Sequence, residues 1–223
     1  MLIMVKIDRV KTGIEGLDDL IEGGFPNGSS ILLTGGPGVG KTTFCIQYLW
    51  EGASNGESCL FLSTEEPPKE IEIESKRFGL KFDEYSDNID IEYLDSDKEI
   101  RPHKVRDLIG DKDYERIALD SISTICTQLN DERNVRSNAK KIIEELRGLD
   151  TTVLVTAELA EDDSGRLSRS GFAEFIAEGV IKMDARAMGT GLERTLTLLK
   201  MRATDLDGGI KDIEFAENGL QIK

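Results

Sequence analysis

The segment "SSILLTGGPGVGKTTFCIQYLW" (29–50) restricts the fold more than any other part of the chain. An apolar run stopped by glycine reads as a buried strand, and the run after it has helical periodicity. Between them Gly35, Gly40, Lys41 and Thr42 fall in the register Gly-x-x-x-x-Gly-Lys-Thr. In a strand–loop–helix setting that pattern predicts a phosphate cradle. The glycines let the backbone of Gly35, Gly36, Pro37, Gly38, Val39 and Gly40 bend and aim its N–H groups inward. The helix start adds the positive end of its dipole. Lys41 supplies a point charge to the terminal phosphates, the hydroxyl of Thr42 completes the shell of a Mg²⁺ ion, and Thr43 reaches the α-phosphate. A glycine-rich turn beside a solvated lysine is the bland alternative, and the flanking strand and helix argue against it.

The rest of the chain repeats the strand–helix rhythm. Strands are expected at 58–64, 89–95, 116–121 and 151–158, and helices at 42–56, 67–80, 101–112 and 134–150. This alternation predicts an α/β fold with a mostly parallel central sheet flanked by helices. After residue 170, "GVIKMD", "RTLTLLKMR", "IKDIEFA" and "GLQIK" read as strands joined by short turns, a C-terminal antiparallel extension. Residues 1–223 are read as one domain. With 43 acids against 28 bases the net charge is −15, which argues against nucleic-acid backbone as a partner. No apolar run approaches the ~18 residues of a membrane span. Cys45, Cys59 and Cys126 sit far apart in apolar contexts and read as buried free thiols of a cytoplasmic protein. The lone His103 lies in a charged stretch and reads as a surface residue.

A phosphate cradle needs acids. Asp120 closes the hydrophobic strand "RIALD", where a carboxylate lies beside the loop after the first strand and holds the magnesium. Its alternative role is a cap for the "SISTIC" helix. Glu65 and Glu66 follow the strand "SCLFLST" directly. Two carboxylates there face the γ-phosphate, and mutual repulsion raises the pKa of one, as suits a base. The same acids also favour the N-terminus of the next helix. Glu65 is taken as the residue that orients water, with Glu66 assisting.

"TGIEGLDDLIEGGFPNGSSILLTGGPGVGKTTF" (12–44), "TEEP", "ALDSIS" (118–123), "RSGFAEFIAEGVI" (169–181) and "LLKMRAT" (198–204) together resemble the RecA-superfamily ATPases. The detail is similar to the branch of the circadian-clock ATPase KaiC and its archaeal single-domain relatives. That resemblance implies a RecA-like phosphate-loop core that assembles as a homo-oligomeric, hexameric ring. ATP and Mg²⁺ would lie between subunits and hydrolysis would act through a protein partner. It assigns Glu65 and Glu66 to the catalytic pair. It also assigns Lys200 and Arg202 to a strand that reaches the neighbour's γ-phosphate. Strand alternation puts Lys200 and Arg202 on one face with Met201 opposite, and a solvated strand face would look the same.

The chain departs from the clock protein in two ways. It has one such domain, not two in tandem. Glu174 and Phe175 also stand where the clock protein's second domain phosphorylates an adjacent Ser and Thr, so the resemblance does not extend to self-phosphorylation. Three other uses of the same site stay open at this point. They are a recombinase-like DNA-dependent ATPase, a nucleotide-gated scaffold and a protein kinase. In the loop at 160–171, Glu161, Asp162 and Asp163 offset Arg166 and Arg169, which disfavours the first.

Overall fold

The computed structural model describes residues 7–95, 99–128, 131–148, 150–160, 166–188 and 191–223, so Glu161, Asp162 and Asp163 lie outside the described residues. The chain opens with β1 (Arg9–Val10), α1 (Leu17–Leu20) and β2 (Phe25–Pro26), and β1 and β2 form a small antiparallel ribbon. Sequence reasoning missed this ribbon, because two-residue strands leave no periodic signal. The α/β core follows as β3 (Ser30–Gly35), α2 (Lys41–Ser54), β4 (Cys59–Ser63), α3 (Pro68–Arg77), β5 (Ile89–Tyr93) and α4 (Pro102–Ile109). It continues through β6 (Arg116–Asp120), α5 (Ile122–Thr127), α6 (Glu132–Arg147) and β7 (Thr152–Glu158). The last part is α7 (Ala173–Ile176), β8 (Gly179–Met188), β9 (Gly191–Met201), β10 (Ile210–Ala216) and β11 (Gly219–Ile222).

A nine-stranded sheet runs in the order β11-β10-β9-β8-β3-β7-β6-β4-β5. The pairs from β8 through β5 are parallel, and those from β8 outward through β9, β10 and β11 are antiparallel. The extension expected after residue 170 therefore begins at β9, because β8 still runs parallel to β3. Successive strand residues point to opposite faces. Ile31 and Leu33 of β3 join one apolar cluster and Leu32 the other; Ala118 of β6 joins the first, Ile117 and Leu119 the second. Both faces are apolar because both are covered, by α2 on one side and by α4 to α6 on the other.

α2 is buried more completely than its periodicity suggests: Thr43 through Leu49 are all buried. The one long polar side chain in that run, Gln47, donates to the carbonyl of Leu220 at 3.0 Å and accepts from its N–H at 2.6 Å. Each such bond contributes about 1 kcal/mol net, and leaving the amide unpaired there would cost about 1–3 kcal/mol. Gln47 thus ties the last strand to the central helix. Cys45 and Cys59 are buried as expected, whereas Cys126, at the end of the short α5, is only half-buried. His103 is exposed. Among the described residues no helix is long and apolar enough to cross a membrane.

Candidate functional site

Parallel pairing brings four strand ends together. Gly35 at the end of β3 lies beside Glu158 of β7, and Ser63 at the end of β4 lies beside Asp120 of β6. The segments leaving β3 and β4, with Asp120 and Glu158 at the ends of β6 and β7, line one cleft of about 600 Å³. The loop between β3 and α2 forms its floor. Gly38 and Gly40 have φ of 69° and 112°, a region that side chains with a Cβ rarely adopt. Gly40 is constrained twice, since a Cβ there would lie 2.5 Å from Cζ of Phe215. Pro37, Gly38, Gly40, Lys41, Thr42 and Thr43 line the cleft. The side chain of Val39 is instead buried in the core, and Gly35 packs against Met183 of β8. No side chain caps the start of α2, so its first N–H groups and its dipole are left to an anion, as at other helix starts that bind phosphate.

Lys41 curls back over the loop and donates to the carbonyls of Gly35 and Gly36 at 3.0 and 2.9 Å. Thr42 Oγ1 donates to Asp120 Oδ2 at 2.7 Å, and Thr156 Oγ1 donates to Asp120 Oδ1. Asp120 is only 6% exposed. Burial raises its pKa and the two hydroxyls oppose that shift, while Glu65 raises it further and Lys41 lowers it. The alternative role of Asp120 as a helix cap does not apply, for no side chain caps α5.

Glu65 and Glu66 are positioned by the turn after β4, where Ser63 Oγ accepts from the N–H of Glu66 at 3.0 Å and of Glu65 at 3.4 Å. Glu65 Oε1 accepts from Ser121 Oγ at 2.6 Å and from Thr124 Oγ1 at 3.2 Å, so its carboxylate is held from the Asp120 side. The expectation that mutual repulsion raises one of the pair needs correction. The raised group is Glu66, and its first cause is desolvation at the cleft wall, followed by the charges of Glu74, Asp120, Glu65 and Glu70. Thr43 also differs from expectation: its hydroxyl donates to Glu74 Oε1 at 2.7 Å.

Lys200 and Arg202 are not in this cleft. Met201 pairs with Gly179, which pairs with Ile31, whereas the cleft edge of β8 is Met183 beside Gly35. At roughly 3.3 Å per residue those levels are about 13 Å apart. Lys200 Nζ donates to the carbonyl of Ala177 at 2.6 Å, and burial, then Arg202, lowers its pKa. Arg202 is exposed, 4.0 Å from Glu178. Of the loop arginines, Arg169 pairs with Glu158 at 2.9 Å.

The cleft wall holds residues that sequence reasoning missed. Phe78, just past α3, stacks on Phe215 of β10 with ring centroids 5.7 Å apart. Arg194 of β9 lies over the Phe215 ring at 4.8 Å, and its Nε is buried without a hydrogen bond. Glu74 joins them from α3. "IKDIEFA" signals only a strand, and no local pattern marks Phe215 as facing a ligand.

The donors suit a magnesium nucleotide. Thr42 and Asp120 offer hard oxygen ligands, and among the described residues no group of three or more His, Cys, Asp or Glu could hold a metal alone. Mg²⁺ typically takes one or two protein oxygens and completes its shell with substrate phosphates and water.

A family model described as "ATPase: KaiC" matches residues 10–223. The circadian clock protein KaiC3 of Synechocystis is 32% identical over 217 residues, covering 91% of this chain and 43% of that protein. A UPF0273 protein of Aeropyrum pernix is 31% identical over 236 residues, covering 97% and 94%. The crystal structure of a KaiC-like protein from Pyrococcus horikoshii superposes with a TM-score of 0.86 at 35% identity, covering 98% of this chain and 100% of that one. The chain thus spans less than half of the clock protein and nearly all of the other two.

Proposed function

This chain belongs to the KaiC family of ATPases, and from that premise we propose that it binds ATP with Mg²⁺ and hydrolyses it, in a ring of identical subunits that signals through protein partners. The observation that carries this reading is the meeting of Thr42 and Asp120 at 2.7 Å in the cleft that also holds Lys41 and Glu65.

The loop 35–43 receives the triphosphate. The Lys41 ammonium, now held by two loop carbonyls, turns to the β- and γ-phosphates. Thr42 and Asp120 would hold the magnesium ion, which when bound neutralises phosphate charge and fixes the γ-phosphate for attack. Glu65 orients the attacking water, and Ser121 and Thr124 fix the direction of its carboxylate. The stacked Phe78 and Phe215 offer a seat for the base. Arg194 sets a cation in the same cleft. Lys200 and Arg202 lie at the other end of the sheet, which supports a head-to-tail ring in which each subunit completes its neighbour's site.

The test compares Glu65→Gln with the wild type. ATP binding should change less than about threefold, while single-turnover hydrolysis slows about 100-fold or more. Normal hydrolysis by Glu65→Gln removes this residue from its role. Tight ATP binding with no product over hours in the wild type would support a nucleotide-gated scaffold instead.

A further inference from the structure

Beside the phosphate loop and the aromatic pair lies a carboxylate that the hydrolytic scheme leaves unused. Glu74 sits on α3, whose other acids Glu70 and Glu72 are exposed, whereas Glu74 is half-buried and turns toward α2. Its Oε1 accepts from Thr43 Oγ1 at 2.7 Å. One turn further along α3 comes Phe78, stacked on Phe215, and the Phe215 ring covers the α-carbon of Gly40. The wall of the cleft therefore runs from Lys41 and Thr42 through Thr43 and Glu74 to the two rings.

We propose that Glu74 reads the sugar of the bound nucleotide, its carboxylate accepting hydrogen bonds from the 2′- and 3′-hydroxyls of ribose. The proposal rests on the reading of the cleft as a nucleotide site and adds a selectivity to it. A nucleotide with its phosphates on the loop and its base on the rings places its sugar at the level of Glu74. The chemistry matches, because an ionised carboxylate is acceptor-only and a ribose diol offers two donors. A carboxylate plays the same part toward ribose in dinucleotide-binding folds. Capacity is available: among the described residues only Thr43 engages Glu74, through Oε1, and no hydrogen bond engages Oε2.

Charge narrows the options further. A carboxylate beside the path of a triphosphate repels it, and Glu66 and Asp120 already crowd the same cleft. A residue kept there for helix propensity alone would serve better neutral. Ribose hydroxyls offset the repulsion locally, because hydrogen bonds to a charged acceptor are about twice as strong as neutral ones. The sugar also frees Thr43. Once the diol donates to Glu74, the Thr43 hydroxyl turns to the α-phosphate, and no buried polar group is left unpaired.

The experiment titrates the full chain, with Mg²⁺, against ATP, 2′-deoxyATP, 3′-deoxyATP and ITP by calorimetry. The wild type should prefer ATP over each deoxynucleotide by about tenfold or more. In Glu74→Ala that preference should collapse to about twofold or less, while the ATP-over-ITP preference is unchanged. Glu74→Gln, which keeps one acceptor oxygen, should retain part of the preference. ATP binding by each variant shows that it is folded. Equal wild-type binding of ATP and both deoxynucleotides overturns the assignment and leaves the nucleotide site standing. No wild-type binding of any nucleotide at millimolar concentration removes the site itself, and the assignment with it. A uniform loss across all four ligands in Glu74→Ala marks the residue as structural, and an altered ATP-over-ITP preference makes it a reader of the base. Either result overturns the assignment to ribose.

Discussion

At the carboxyl ends of the parallel strands, Glu65, Glu66, Glu74 and Asp120 share one cleft without an ion pair among the described residues, while Glu158 beside them pairs with Arg169. At the amino ends three acids are paired. Glu22 holds Arg9 at 2.6 Å, and Glu178 holds Arg147 at 3.1 Å with Arg202 at 4.0 Å. Glu57 grips Arg116 through Nε at 2.5 Å and Nη2 at 2.9 Å. Arg116 is 1% exposed and also donates to the carbonyls of Lys11 and Tyr48. Breaking a buried pair of that kind costs about 3–5 kcal/mol. The amino end is therefore a closed frame. The carboxyl end gathers more acids than Lys41, Arg77 and Arg194 of the same cleft balance, an excess that suits a site for a magnesium nucleotide. Lys200 and Arg202, which the family resemblance places at a neighbour's γ-phosphate, lie on the closed end of the same chain. In the proposed ring the two ends meet when a second copy brings its amino end to the cleft of the first.

The largest expected effect breaks the open end alone. Lys41→Ala should weaken ATP binding about 100-fold or more, read by calorimetry, since it removes the one cation from the loop. The fold should survive, because Lys41 makes no described contact beyond the carbonyls of Gly35 and Gly36 and its head lies in the cleft. Next, Arg202→Ala should keep ATP binding and lower turnover about 1000-fold, as loss of an arginine finger does. Mixing the two inactive variants in equal amounts sharpens the comparison. In a head-to-tail ring an interface works when a sound loop meets a sound finger, so about a quarter of interfaces should recover. No recovery in the mixture, or normal turnover by Arg202→Ala, places Lys200 and Arg202 outside the site.

This contrast also separates what the sequence discloses from what it hides. The loop, Thr42 and Asp120 were legible because their geometry is local. Gly35 to Thr43 is one contiguous segment from strand end to helix start, and Asp120 is fixed by the end of its own strand. The parallel core was legible because two covered faces force unbroken apolar runs such as "SILLTG" and "CLFLS". Glu74, Phe78, Arg194 and Phe215 were not legible, because they come from α3, β9 and β10 and converge only after the antiparallel strands fold back over α2. Phe215 alternates like any core residue, and its role shows only where Gly40 approaches it. Burial as the main source of the Glu66 shift was equally hidden, since an acidic run reads as repulsion until the cleft wall is known.

The smallest expected effect tests the charge difference itself, through the stability of the empty protein. Glu66 has a folded-state pKa above its ordinary value of 4.5, raised first by desolvation and then by four neighbouring acids. Between 4.5 and that raised value the native state holds more protons than the unfolded chain, so stability falls as pH rises through the window. Below the window the group is protonated in both states and the contribution is fully present; above it the contribution is lost. Glu66→Gln should therefore raise the melting temperature of nucleotide-free protein at pH 7 by a small amount, of order 1 °C given how exposed the side chain is. Near pH 4 the gain should vanish. A matched change at the closed end, Glu22→Gln, removes the partner of Arg9 and should lower stability slightly at pH 7. Opposite signs at the two ends support the division into an open and a closed edge. A loss of stability in Glu66→Gln would mean that its carboxylate is paired in the empty cleft, and the excess of negative charge there would no longer be the feature that calls for a cation.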